Sequence, residues 1–224
     1  MIADNIKSVR HRIAMACEKA GRPAESVQLV CVTKEATVDQ IREAIAAGVS
    51  ILGENRVQDA VAKHGIIGDA ASWHLVGHLQ TNKVKDAVRI FSLIHSVDSL
   101  RCAEAIDKEA GKLGKVQDIL IQVNTSGEKT KFGISEEQLT GLILKITALC
   151  RNISIKGLMT IAPERAQQEE VRPYFRELRE LRDSVNAILN RNLTILSMGM
   201  TGDFEAAIME GSTMVRIGRA IFNE

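Results

Sequence analysis

Three short stretches carry side chains whose types and positions fit one chemistry. Lys34 closes the apolar run Gln28-Leu-Val-Cys-Val-Thr33. A lysine at the inner rim of a strand-built cavity loses hydration, which favours the neutral amine that attack on an aldehyde requires. Taken alone, a strand-end lysine more often only snorkels toward water. Further on, Ser197-Met-Gly-Met-Thr-Gly202 joins an apolar run to the helical pattern 204–209, and Ile217-Gly-Arg219 follows the last apolar run. Backbone N–H groups in such turns, with the hydroxyls of Ser197 and Thr201, can form a nest for a phosphate dianion. Two ordinary turns would use the same residue types. Arg216 lies inside the otherwise apolar Met214-Val-Arg-Ile217. A buried guanidinium there needs an acceptor, either a structural carboxylate or a ligand.

An amine at one side, a phosphate nest opposite and a cation between them describe a pocket for a phosphorylated aldehyde. Pyridoxal 5'-phosphate suits these groups, because its ring nitrogen can accept from Arg216. A sugar-phosphate aldehyde would use much the same parts.

The elements that must position these groups alternate along the chain. A helical stripe Ile6, Val9, Ile13 and Cys17 runs through 4–19, and Gly21 follows it. After the first apolar strand, Thr37 and Gln40 form a capping box and Gly48 ends the helix they open. A short strand begins at Ile51, with a helical segment near 56–63. Strand-like runs recur at Trp73–Gly77, Leu93–Val97, Asp118–Val123, Ile153–Met159, Ile195–Met198 and Met214–Ile217. The clearest helices between them are 135–150, with a Ser135/Gln138 capping box, and 170–190. Strands this uniformly apolar are buried on both faces, as in a parallel sheet covered by helices. About eight strand–helix units with a helix in front predict an α/β fold, a single (β/α)8 TIM barrel with an additional N-terminal helix over residues 1–224. A doubly wound open sheet is the competitor, but the turn after its first strand would ordinarily be glycine-rich, and Thr33-Lys-Glu-Ala-Thr37 has no glycine. In a barrel the site lies at the C-terminal strand ends, with phosphate commonly held after strands seven and eight, where Ser197–Gly202 and Gly218 stand.

Composition excludes several function classes. The 224 residues include 29 basic and 28 acidic side chains, so no global field favours nucleic acid or anionic lipid. Aromatic residues at 3% leave few stacking platforms for single strands. No apolar run reaches the roughly 18 residues that span a bilayer, and no secretory signal pattern opens the chain. Cys17, Cys31, Cys102 and Cys150 are scattered without a CxxC pair, which points to a reducing cytoplasm rather than a disulfide framework or structural zinc. His74 and His78 are four apart but lack a third ligand nearby, so no metal site is expected. Lys83, Lys85 and Arg89 read as a solvated basic face, and Glu128-Lys-Thr-Lys131 as a solvated loop that could otherwise serve as a lid or contact a recipient enzyme.

A set of motifs spread over nearly the whole chain resembles one family. They include Val32-Thr-Lys34, Gly53-Glu-Asn-Arg-Val-Gln58, Trp73-His-Leu-Val-Gly77, Leu79-Gln-Thr-Asn-Lys83, Ile94-His-Ser-Val-Asp98, Ser197-Met-Gly-Met200 and Gly211-Ser-Thr-Met-Val-Arg-Ile-Gly218. The chain thereby resembles the YggS/PROSC family of pyridoxal phosphate homeostasis proteins, whose fold is like the N-terminal barrel of alanine racemase. The resemblance implies pyridoxal 5'-phosphate held covalently by Lys34 as a Schiff base, with Arg216 at the ring nitrogen. It places Ser197, Met198, Thr201, Gly218 and Arg219 around the phosphate, and Asn55, His74 and Met159 along the cofactor. It implies PLP-dependent apoenzymes as recipients. Four positions depart from the family pattern: Arg56 for Tyr, His78 for Pro, and Ala36-Thr37 for Lys-Pro.

Handling rather than catalysis is expected. A guanidinium cannot hand the ring a proton, so the ring is a weaker electron sink. A racemase also needs bases on both faces of its substrate, and the only tyrosine, Tyr174, falls in the apolar stripe of the 170–190 helix. A cytoplasmic monomer that binds and delivers PLP is therefore the expectation. A PLP-dependent racemase-like enzyme, with His74 or a partner chain as the second base, and a sugar-phosphate aldolase remain the alternatives.

Overall fold

Eight parallel strands, each joined to the next through helical segments, close a barrel in the computed structural model, which describes residues 1–128, 130–163 and 168–223. The strands are β1 (Gln28–Val32), β2 (Ile51–Glu54), β3 (Ser72–Leu75), β4 (Leu93–Val97), β5 (Gln117–Gln122), β6 (Ile153–Met159), β7 (Ile195–Ser197) and β8 (Met214–Ile217). The helices are α1 (Ile2–Lys19), α2 (Val38–Ala46), α3 (Val57–Ile67), α4 (Val84–Ile90), α5 (Leu100–Lys112), α6 (Glu136–Leu149), α7 (Gln168–Leu189), α8 (Phe204–Met209) and α9 (Arg219–Phe222). Strand order follows the chain, and β8 returns to β1 with Val30 beside Arg216 and Cys31 beside Ile217. The open-sheet alternative is thereby set aside.

Apolar residues sit on both strand faces because both are buried. Val30, Leu93, Leu120, Met159 and Met214 fill the inside of the barrel. Cys31, Leu52, Ile119, Leu158, Leu196 and Val215 belong to the larger cluster shared with the helices. Local signals agree with the larger plan. Thr37 Oγ1 accepts from Gln40 N at 3.3 Å while Gln40 Oε1 accepts from Thr37 N at 2.9 Å, and Gly48 has φ +85° where α2 gives way to the next strand. The departure at Ala36-Thr37 thus supplies a helix cap.

The additional helix α1 braces the end of the chain. Asn5 Nδ2 donates to Ile221 O at 3.0 Å, and Arg12 pairs with Glu205 at 2.6 Å. On the far side, α7 holds α8 through Glu210. Its buried carboxylate meets Arg172, Arg176 and Arg179 at 2.8, 3.1 and 3.2 Å. Burial alone would raise that carboxyl, but Arg176 and Arg172 outweigh it and hold it below the usual value. All four cysteines are free and buried, and no described helix is long and apolar enough to cross a membrane.

Candidate functional site

Loops at the C-terminal ends of the strands enclose a cavity of about 310 Å³. Lys34, Asn55, Thr201, Arg216, Gly218 and Arg219 line it, together with an apolar side from Val32, Val76 and Ile161. Val76-Gly77 continues the run that begins in β3, which ends as a strand at Leu75. Gly77 is needed for the approach: a Cβ there would lie 2.2 Å from Asn55 O. Any side chain would push Asn55 from the wall.

Lys34 stands two residues beyond β1, in a turn held from below. Thr33 Oγ1 donates to the buried Glu54 Oε1 at 2.6 Å. Lys63 on α3 donates to that same oxygen at 2.7 Å and to Thr33 O at 2.5 Å. The lysine itself remains 46% exposed, with Nζ 3.2 Å from Glu35 Oε1. The full loss of hydration expected of a rim lysine is therefore not reached. Glu35 also accepts from Asn223 Nδ2 at 3.0 Å. Asn223 first, and Lys34 second, hold its carboxyl below the usual range.

Beside Lys34, rather than across from it, lie the two glycine turns. The sequence suggested an amine facing the nest, but closure of β8 onto β1 makes these neighbouring sectors of one rim. Gly199 has φ +97°, and a Cβ there would meet Ala207 Cβ at 2.7 Å and Phe204 Cα at 2.9 Å. Only glycine makes that turn without strain. The backbone N–H groups of Thr201, Gly202 and Gly218 have no acceptor among the described residues. Because α8 and α9 span only 6 and 4 residues, these loop amides, more than helix dipoles, supply the donors. Asp203 Oδ1 accepts from Met200 N and so shapes the turn; burial pushes its carboxyl up.

Arg216 is the deepest group of the wall and 4% exposed. Nη1 donates to Ser197 Oγ at 2.8 Å and Nη2 to Thr160 O at 3.0 Å. It forms no ion pair with a carboxylate among the described residues. Burial lowers its pKa to about 10, so it is still charged at neutral pH. The Asp203 carboxylate supports that charge from a distance without reaching contact, and the open side of the guanidinium is the cavity.

The alanine racemase N-terminal domain model matches residues 5–224. A pyridoxal phosphate homeostasis protein of Aquifex aeolicus is 45% identical over 222 residues, covering 99% of this chain and 97% of that one. The chain belongs to the pyridoxal phosphate homeostasis protein family. Among solved structures, PipY of Synechococcus elongatus PCC7942 with PLP bound aligns with TM-score 0.87 at 36% identity, over 99% of this chain and 100% of that one. Alanine racemase of Clostridium difficile 630 shares the fold at TM-score 0.73 and 19% identity, over 97% of this chain and 56% of that one.

Four residues assigned from the resemblance to this family stand away from the cavity wall. His74 lies inside the barrel and lines a separate opening at the N-terminal strand ends, with Ser72, Asp118 and Lys156. Met159 is sealed in the inner apolar cluster and Met198 in the outer one. Ser197 is fully buried behind Arg216, which it contacts directly. His78 is at the rim, stacked on Phe132 at 3.9 Å, and does not share a site with His74. In the loop 128–131, Lys131 donates to Ala162 O at 3.1 Å, while Lys129 lies outside the described residues.

Sequence reasoning missed Asp203, the Glu54–Lys63 tie and His95. The last is fully buried, with Nδ1 2.9 Å from Ser197 Oγ and Nε2 3.1 Å from His74 Nδ1. A histidine beside Ile94 in a strand-like run was the available signal, since a buried imidazole requires partners.

Proposed function

We propose that this chain binds pyridoxal 5'-phosphate covalently through Lys34 and holds it reversibly for delivery to apoenzymes, without efficient catalysis. The observation that carries the reading is Arg216: a buried cation, unpaired by any described carboxylate, opening on the cavity that also presents Lys34 and three free amides. Those groups fit a ligand with a carbonyl, an acceptor nitrogen and a phosphate. The bound PLP of PipY and the naming of the Aquifex relative support the same ligand.

The chemistry such a cofactor would supply is an aldehyde carbonyl, which the Lys34 amine at the rim would hold covalently. Thr201, Gly202 and Gly218 would donate backbone N–H groups to the phosphate, with Arg219 adding charge. Asn55 and the apolar wall would flank the ring. Arg216 only donates, so it would bind an unprotonated ring nitrogen and leave the ring a weak electron sink. Among the described cavity residues, Lys34 and Asp203 are the titratable groups able to accept a proton, and Asp203 is committed to its turn. That set suits holding better than two-base racemisation.

Every group this reading needs comes from one chain, so a monomer suffices. Four free cysteines suit a reducing compartment, and the proposed place of action is the cytoplasm. The test is borohydride reduction of purified protein followed by mass analysis. A pyridoxyl phosphate adduct on Lys34 is expected, lost with the yellow absorption in Lys34→Ala. Retention of both in that variant, or a sugar-phosphate adduct, overturns the assignment. Solvent-proton exchange at an amino acid Cα would instead favour the racemase-like alternative.

A further inference from the structure

Behind the cavity, a line of polar side chains crosses the barrel core: Arg216, Ser197, His95 and His74, none more than 6% exposed. The cavity touches only the first of them. Successive contacts measure 2.8, 2.9 and 3.1 Å.

The direction of this line follows from its first member. A guanidinium donates and never accepts, so Ser197 Oγ must accept from Arg216. The serine proton then needs an acceptor, and among the described residues within reach that acceptor is His95 Nδ1. A bare Nδ1 makes His95 the Nε2–H tautomer, which donates to His74 Nδ1. His74 in turn keeps its proton on Nε2, at the edge of the opposite opening. The reverse arrangement, with Nδ1–H of His95 donating to the serine, would leave a buried hydroxyl proton unpaired. Burial keeps both rings neutral: it lowers His74 to about 4 and His95 well below the ordinary histidine value, the latter helped by His74 and Arg216.

We propose that His95 is a positioning residue for the cofactor's ring-nitrogen end: through Ser197 it fixes the direction in which Arg216 presents its remaining N–H groups to the cavity. Thr160 O holds Nη2, so the direction of the Ser197 hydroxyl decides how the Nη1 edge is tilted. With His95 accepting behind it and His74 closing the line, the hydroxyl has one orientation. This inference rests on the PLP reading, which supplies the acceptor that Arg216 faces.

Two measurements test it. The 15N shifts of the imidazole nitrogens in ligand-free protein should show His95 as the neutral Nε2–H tautomer. An Nδ1–H tautomer or an imidazolium overturns the proposal without any reference to ligand. Second, PLP affinity and the absorption maximum of the bound cofactor are compared in wild type, His95→Leu and His95→Gln. The leucine variant fills the space but cannot accept, and should lose roughly tenfold in affinity with a shifted maximum, as removal of an orienting partner does elsewhere. Glutamine keeps one acceptor and one donor and should restore most of both. Equal loss in the two variants marks a packing role, and unchanged affinity and spectrum in the leucine variant marks none; either result overturns the proposal. Should His95→Leu fail to fold, the imidazole 15N shifts of the wild type decide the proposal on their own. A wild type that takes up no PLP sinks the cofactor reading and this inference together, whereas binding that is indifferent to these variants sinks the inference alone.

Discussion

Glu210 and Arg216 are both buried charges, one before β8 and one within it. Glu210 is ringed by Arg172, Arg176 and Arg179, so its charge is answered inside the protein and α7 is locked to α8. Arg216 touches a hydroxyl and a carbonyl and feels Asp203 only from a distance, and its remaining side opens on a cavity. Desolvation penalises both charges, but only at Glu210 do the neighbours outweigh it. The difference separates scaffold from site more sharply than residue type does: both are charged side chains near glycine turns.

Removing each charge should therefore have opposite consequences. Arg216→Met is expected to lower PLP affinity by roughly a hundredfold or more while the thermal midpoint stays level or rises, because an unpaired buried cation is lost. Glu210→Gln should lower the midpoint by roughly 5 °C, as loss of a buried network does in a chain of this length, and leave PLP affinity near wild type. Calorimetry and absorbance titration on both variants decide it; a reversed pattern would erase the distinction.

Gly199→Ala probes the nest that completes the Arg216 side. Its backbone is left-handed and its Cβ would crowd Ala207 and Phe204, so a cost of about 1–3 kcal/mol is expected, with roughly tenfold weaker PLP binding. Unchanged binding would show that the turn is not part of the anion site.

The histidine line adds a pH signature that begins above the acid range in which Glu210 is protonated. His74 has its folded pKa lowered to about 4 from 6.5, so the unfolded chain binds more protons in that interval. Its stabilisation is present in full above 6.5 and is lost as pH falls toward 4, amounting to at most about 3 kcal/mol. Glu177, whose carboxyl is pushed up to about 8 by burial and then by Glu136, titrates in an overlapping range with the opposite sign. The informative quantity is therefore the difference in urea midpoint between wild type and His74→Asn, which should shrink from pH 7 to pH 4. A constant difference removes the imidazole from the account.

The smallest change is expected at Glu35→Gln. Lys34 and Glu35 are about half exposed, and water replaces most of what the pair provides, so PLP affinity should move less than about threefold. A larger loss would make Glu35 part of the site.

Much of this is legible in the amino-acid sequence. Parallel barrel strands are buried on both faces, so each left a continuous apolar run in the sequence, and Thr37/Gln40 marked a helix start that the structure reproduces. Lys34 and Arg216 were visible as charged residues at or within such runs. Depth and direction were not. His74 shares strand parity with the cavity residue Val76, but register with Gly53 and Leu93 seats it a layer lower, at the other opening. A single strand carries no information about that depth, because depth belongs to the stagger between strands. Likewise, that Lys34 lies beside the nest follows from β8 pairing with β1, a contact between the two ends of the sheet. The tie from Lys63 to Thr33 required knowing how α3 packs.

On the proposed reading, a protein that holds an electrophile must not be modified by it at the wrong side chain. Thiolates capture carbonyls, yet Cys17, Cys31, Cys102 and Cys150 are each at most 5% exposed. Burial pushes all four thiols up, Cys31 and Cys102 to about 12 and Cys150 to about 11. Sulfur is thus withheld as a competing nucleophile, and a carbonyl entering the mouth of the barrel meets nitrogen first.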